Sequence, residues 1–145
     1  MMSLLKIASV PPAAVEPKTT VLEAVEMMAE HAVGAVAVID GGHLLGIFTE
    51  RDVMLRVVLR HRHPRDTHVG DVMTSPAETI TDETSEEDAL VHMVERHVRH
   101  LPIVGASGQL IGMLSIRNLL EHRVDELARE LHSLDQYLSN DGPGG

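Results

Sequence analysis

The chain has 145 residues and a net charge of −10, from 12 basic and 22 acidic residues. That balance argues against a general nucleic-acid binder, because phosphate affinity rests on clustered Lys and Arg. The absence of cysteine excludes disulfides and thiolate metal sites. No apolar run approaches the roughly 20 residues that span a bilayer. The N-terminus also lacks a convincing secretory signal, so a soluble cytoplasmic protein is expected. Phe48 and Tyr137 are the only aromatic residues, so the core is aliphatic, with eight Met as gap fillers.

In chain order, Thr20 to Ala32 reads as a helix with Val21, Val25, Met28, Ala29 and Ala32 on one face. Thr20 and Glu23 have the spacing of a capping box, and Gly34 is placed to end the helix. Ala35-Val36-Ala37-Val38-Ile39 is a buried strand, Asp40-Gly41-Gly42-His43 a hairpin turn, and Leu44 to Phe48 the returning strand. A second helix is expected from about Glu50 to His61. The polar stretch around Pro64 is a linker. Thr79-Ile80-Thr81 is a short strand, and Ser85 caps a helix through His97. Leu101 to Val104 and Leu110 to Leu114 make a second hairpin.

The second half repeats the first. A shift of 65 residues sets Ala24 on Ala89, Met28 on Met93 and Glu30 on Glu95. One extra residue near Ala106-Ser107-Gly108 moves the shift to 66, which aligns Gly46-Ile47-Phe48-Thr49-Glu50-Arg51-Asp52 with Gly112-Met113-Leu114-Ser115-Ile116-Arg117-Asn118. Each unit therefore reads β-α-β-β-α, with the first strand of unit one near Ala14-Val15 by analogy with Thr79-Ile80. A half-unit leaves one sheet face uncovered, so two α+β units packed face to face about a pseudo-twofold axis are expected. Leu120, Val124, Leu127, Leu131, Leu134 and Leu138 then follow the alternating spacing of a heptad seam. That seam either covers its own domain or makes a dimer contact.

The repeated turn has two readings. A hydroxyl at a helix N-cap with an acidic or amide residue three positions later is nearly a capping box, although Asp and Asn have a short arm for that task. Alternatively, N–H groups at a helix start attract an anion, and Asp52 offers two oxygens to the neighbouring hydroxyls of a ribose. Arg51 and Arg117 add local positive charge.

The tandem motif, the Asp71-Val72-Met73-Thr74-Ser75-Pro76 opening and the Arg99-His100-Leu101-Pro102-Ile103-Val104 strand together resemble a cystathionine-β-synthase (CBS) domain pair, or Bateman module, standing alone. The resemblance runs from about Ala14 to Leu120 and implies a regulatory module rather than an enzyme. Such modules bind AMP, ADP, ATP, sometimes NAD or S-adenosylmethionine, between repeats, and commonly form homodimers through their helices. Carried over by position, Asp52 holds the ribose and Thr49 the ribose or phosphate, and Ser115 and Asn118 are their counterparts in a second site that is weaker or takes a different ligand. Asn118 departs from the usual Asp and loses a charge-assisted hydrogen bond. The segments Gly34-Ala35-Val36 and Arg99-His100-Leu101 match the family stretch that lines the base and phosphate, and Lys6 is a further candidate.

The expected organisation is a first repeat at 7–63, a linker at 64–72 and a second repeat at 73–122. A helical extension at 123–139 and a disordered tail at 140–145 follow. Adenine nucleotide, a second copy of the chain and an unidentified regulated protein are the expected partners. Neither nucleic acid nor membrane is. The ten histidines show no convincing ligand spacing and read as surface residues, so no metal is expected. No nucleophile, base and orienting group can be assembled from this order either.

Overall fold

The computed structural model describes residues 3–140. The first unit contains β1 (Ala14–Val15), α1 (Val21–His31), β2 (Ala35–Asp40), β3 (His43–Thr49) and α2 (Glu50–Asp52). The second contains α3 (Glu86–Arg96), β4 (His100–Val104), β5 (Leu110–Ser115) and α4 (Ile116–Asn140).

Local chemistry explains the element ends. At the start of α1 the Glu23 N–H donates to Thr20 Oγ1 at 3.1 Å, and the Thr20 N–H to Glu23 Oε1 at 3.2 Å, closing the expected capping box. The helix ends earlier than Gly34 suggested. Ala32 takes the left-handed conformation with φ 52°, at a cost of about 1–2 kcal/mol for a residue with a Cβ. In the hairpin, Gly41 and Gly42 carry φ of 58° and 82°, the signs a tight turn between twisted strands requires.

Two expected elements differ. The helix predicted over Glu50–His61 is α-helical only through Asp52; Val53–Val58 then forms a π-helical segment. There the Leu59 N–H reaches the Met54 carbonyl and the Arg62 N–H the Val57 carbonyl. Apolar spacing read from sequence does not separate those two hydrogen-bond steps. The strand at Thr79–Thr81 reduces to one parallel bridge between Ile80 and Ile103, the counterpart of the Val15–Val38 pairing of β1 with β2.

Each unit has its own aliphatic core, and a third cluster joins them. Val36, Val38 and Phe48 face α1, packing with Val21 and Met28. Ala35 and Ala37 point the opposite way, as alternate strand residues must. They meet Ile47 and Met113, the latter from the second unit. Small side chains on that face let the two sheets approach closely.

The units also exchange connecting segments. Val69 and Val72, within the stretch read as a linker, are buried in the first core. Leu4, near the N-terminus, is buried in the second. Thr74 pairs with Ile47, and Ser9 with Met113, through matching backbone hydrogen bonds. This crossing explains the glycine of the repeated motif. A Cβ on Gly46 would meet the Thr74 carbonyl oxygen at 2.5 Å, and one on Gly112 would meet Leu5 and Val10 at 3.1 and 3.3 Å.

The expected boundary before residue 123 is not a break, because α4 is one helix of 25 residues. Asn140, counted with the tail, is its last residue; 141–145 lie outside the described residues.

Candidate functional site

The two copies of the repeated turn have the same backbone and different surroundings. In the first, Thr49 caps α2: its hydroxyl accepts from the Asp52 N–H at 3.2 Å, and Asp52 Oδ2 accepts from the Thr49 N–H at 3.0 Å. The short Asp arm therefore does close a capping box. Asp52 Oδ1 accepts from the Thr74 hydroxyl at 2.9 Å and faces Arg56 Nε at 3.6 Å. Only 5% of Asp52 is exposed. Both carboxylate oxygens are engaged by the protein itself, and the crossing segment lies over them.

In the second copy, Asn118 Oδ1 accepts from the Ser115 N–H at 2.9 Å and Ser115 Oγ from the Asn118 N–H at 3.0 Å. The residue matching Thr74 is Ser9, whose hydroxyl makes no comparable bond to Asn118 among the described residues. The residue matching Arg56 is His122, which turns away to Glu86 and Glu126. Asn118 is half-buried, and its amide nitrogen makes no hydrogen bond among the described residues.

A cleft of about 880 Å³ opens beside this second turn, within the range of small-molecule sites. One wall is α1, through Val25, Met28 and Ala29; the other is the start of α4, through Ser115, Arg117, Asn118 and Glu121. Between them lie Gly34 and Ala35 of the first unit and Arg99 and His100 of the second. The structure thus gathers seven of the residues singled out from sequence, one group from each repeat. Thr49, Arg51, Asp52, Val36 and Leu101 do not line this cleft, and neither does Lys6. Val36 and Leu101 are core residues with no exposure.

Sequence reading missed Glu50 and Ser9. Glu50 holds a carboxylate in the cleft where the second repeat carries the apolar Ile116. That mismatch between copies was the available signal. For Ser9 the signal was its position 65 residues before Thr74.

Gly34 shapes the floor. A Cβ there would stand 3.2 Å from Glu50 Oε1 and 3.3 Å from His100 Cε1. Burial holds the His100 ring below its ordinary pKa of 6.5, the Glu50 carboxylate opposes this, and the neighbouring Arg99 adds to the lowering. At neutral pH the cleft therefore offers neutral imidazole. Around it stand two guanidinium groups and two carboxylates, with Arg117 Nε bound to Glu121 Oε1 at 2.8 Å.

Two repeated units, the first with strand β1 and the second with a single bridge at Ile80 in its place, exchange connecting segments around a cleft and define a tandem-repeat module of the Bateman type. The family model for the CBS domain matches residues 6–59 and again 69–125, and the chain belongs to that family, as a pair of repeats. It is 37% identical over 124 residues to the mitochondrial CBS domain-containing protein CBSX3 of Arabidopsis thaliana, covering 82% of this chain and 60% of that relative. Against the CBS domain-containing protein YhcV of Bacillus subtilis it is 36% identical over 107 residues, covering 74% of this chain and 75% of the relative. Among solved structures, CBSX2 in complex with AMP superposes with a TM-score of 0.74 at 28% identity, covering 86% of this chain and 98% of that one. The chain spans 54–66% of the length of the first three curated relatives it matches. No helix among the described residues is long and apolar enough to cross a membrane.

Proposed function

We propose that the protein is a regulatory module that binds an adenine nucleotide in the cleft at Ser115 and Asn118. The observation that carries the reading is the convergence there of Gly34 and Ala35 from one repeat with Arg99, His100 and the second turn from the other. A sugar meets Asn118 and Ser115, an anionic group meets Arg99 and the start of α4, and a flat base lies against Met28, Ala29 and Val33. The related AMP complex supports the ligand class. Two cationic side chains balanced by two carboxylates suit a nucleoside or monophosphate better than a triphosphate. Because both repeats touch the ligand, its binding biases their packing and the helices outside it, to the extent that it prefers one arrangement. A dimer face or a regulated partner reads that change.

Titration calorimetry with AMP, ADP, ATP, NAD and S-adenosylmethionine tests this. We expect a single saturable site with AMP tightest among the phosphates. Absence of heat and of any melting shift with all five overturns it.

A second reading has its own support. Asp52 is fully occupied by the protein, and α4 presents a row of exposed Leu. On this reading the chain is an interaction module whose ligand sites are degenerate, and it dimerises through its helices. Retained dimerisation with no nucleotide response favours it.

A further inference from the structure

Where α4 leaves the body of the protein, three side chains from two helices converge. His122 and Glu126 lie one turn apart on α4, and Glu86 is the first residue of α3. His122 Nε2 stands 3.1 Å from Glu86 Oε1 and 2.9 Å from Glu126 Oε1. All three ligand atoms lie within 4.8 Å of one another, and among the described residues no other His and carboxylate trio does so. The side chains are 20%, 30% and 39% exposed, so the cluster is partly open to water.

Hydrogen bonding within the trio does not by itself satisfy both carboxylates. Nε2 carries at most one proton, so it satisfies one carboxylate and leaves the other facing it without a donor. Two carboxylates held around one imidazole also repel each other across a half-buried gap. The repeat scaffold does not require the cluster, since the matching positions of the first unit are Val21, Arg56 and Arg60. It is an addition to the second unit alone.

We propose that Glu86, His122 and Glu126 form a site for a zinc-like divalent transition-metal ion that fastens α4 to the start of α3. One imidazole with two carboxylates suits zinc or cobalt rather than magnesium or calcium, which prefer oxygen alone. Zinc ligand atoms at about 2.0–2.1 Å from the metal stand about 3.4 Å apart in a tetrahedron. The two His122–carboxylate separations therefore need to widen by only about 0.3–0.5 Å. The open side leaves the fourth position to water. This departs from the sequence expectation of no metal, and the reason is distance along the chain: Glu86 joins the His122–Glu126 helical pair only through the packing of α3 on α4. None of the three lines the cleft beside Ser115 and Asn118, and the ion fixes the direction in which α4 departs.

The test is a cobalt titration of the metal-free full chain, read by visible absorption. One saturable site per chain is expected. Glu126→Gln, a near-isosteric change on a helix surface, weakens it by more than roughly tenfold, the scale at which even outer-shell changes act. His122→Ala abolishes it. His92→Ala, which removes another half-buried His beside a carboxylate, leaves it intact. Zinc raises the melting temperature of the parent chain and not of Glu126→Gln, while magnesium and calcium leave both unchanged. Absence of saturable cobalt binding at micromolar metal, or binding unchanged in Glu126→Gln and His122→Ala, overturns the proposal.

Discussion

Asp52 and Asn118 occupy the same place in the two repeats and meet different surroundings. Asp52 takes hydrogen bonds from Thr49 and Thr74, so its removal leaves those half-buried donors without an acceptor. Asp52→Ala is therefore expected to lower stability by about 1–3 kcal/mol and to leave AMP affinity unchanged. Asn118→Ala should do the reverse, weakening AMP about tenfold, equivalent to roughly 1.4 kcal/mol, with a smaller loss in melting temperature. Calorimetry and thermal melts on both variants check the pair. A loss of binding in Asp52→Ala alone would return the ligand to the first turn. His100 adds a pH dependence. Its folded pKa lies below the unfolded value of 6.5, so the unfolded chain takes up a proton first as the pH falls. Stability is unaffected well above 6.5, then declines from near that pH down to the folded pKa, where both states are protonated. His100→Gln should flatten that part of the stability profile in urea melts taken across it.

At the scale of elements, the repeat made most of the architecture legible. Helices, hairpins and both turns were readable because each rests on local chemistry, such as the Thr20–Glu23 box and the Asp40-Gly41-Gly42-His43 turn. Which turn opens on a cleft was not readable. That depends on Thr74 and Arg56 folding back over Asp52, contacts 22 residues apart in one case, while Ser9 and His122 leave Asn118 clear. Residue type favoured Asp over Asn as a ribose ligand; the proposed function rests instead on the surroundings, which place the cleft beside Asn118. Gly34 was assigned to a helix end for a similar reason. Its actual surroundings, Glu50 and His100, come from two other elements. Gly34→Val is expected to narrow the cleft floor and weaken AMP several-fold, with a near-native circular dichroism spectrum. Unchanged affinity would show that the ligand does not reach this floor.

For the whole molecule, the unresolved choice in the sequence was whether the Leu seam covers its own domain. Leu119 is buried against the second core, but from residue 127 to 139 every side chain of α4 is exposed. Leu127, Leu131, Leu134 and Leu138 are each more than half exposed, and Met54, Val58 and Leu59 add exposed apolar surface on the helix following β3. The exposed end of α4, residues 127–139, is of marginal length for a helical stretch that packs on nothing, and a sustained apolar stripe marks an association surface. On the dimer reading, a second copy of the chain pairing along this seam and the neighbouring helices would supply the missing cover. Replacing Leu127 and Leu131 together with Glu changes only side chains that touch no core, so the repeats should fold and bind nucleotide as before. Sedimentation should then show a smaller species than the parent chain, with weaker helical signal from the free end of α4. A dimer of undiminished affinity in that variant would assign association to the other helices and leave the seam for a different partner.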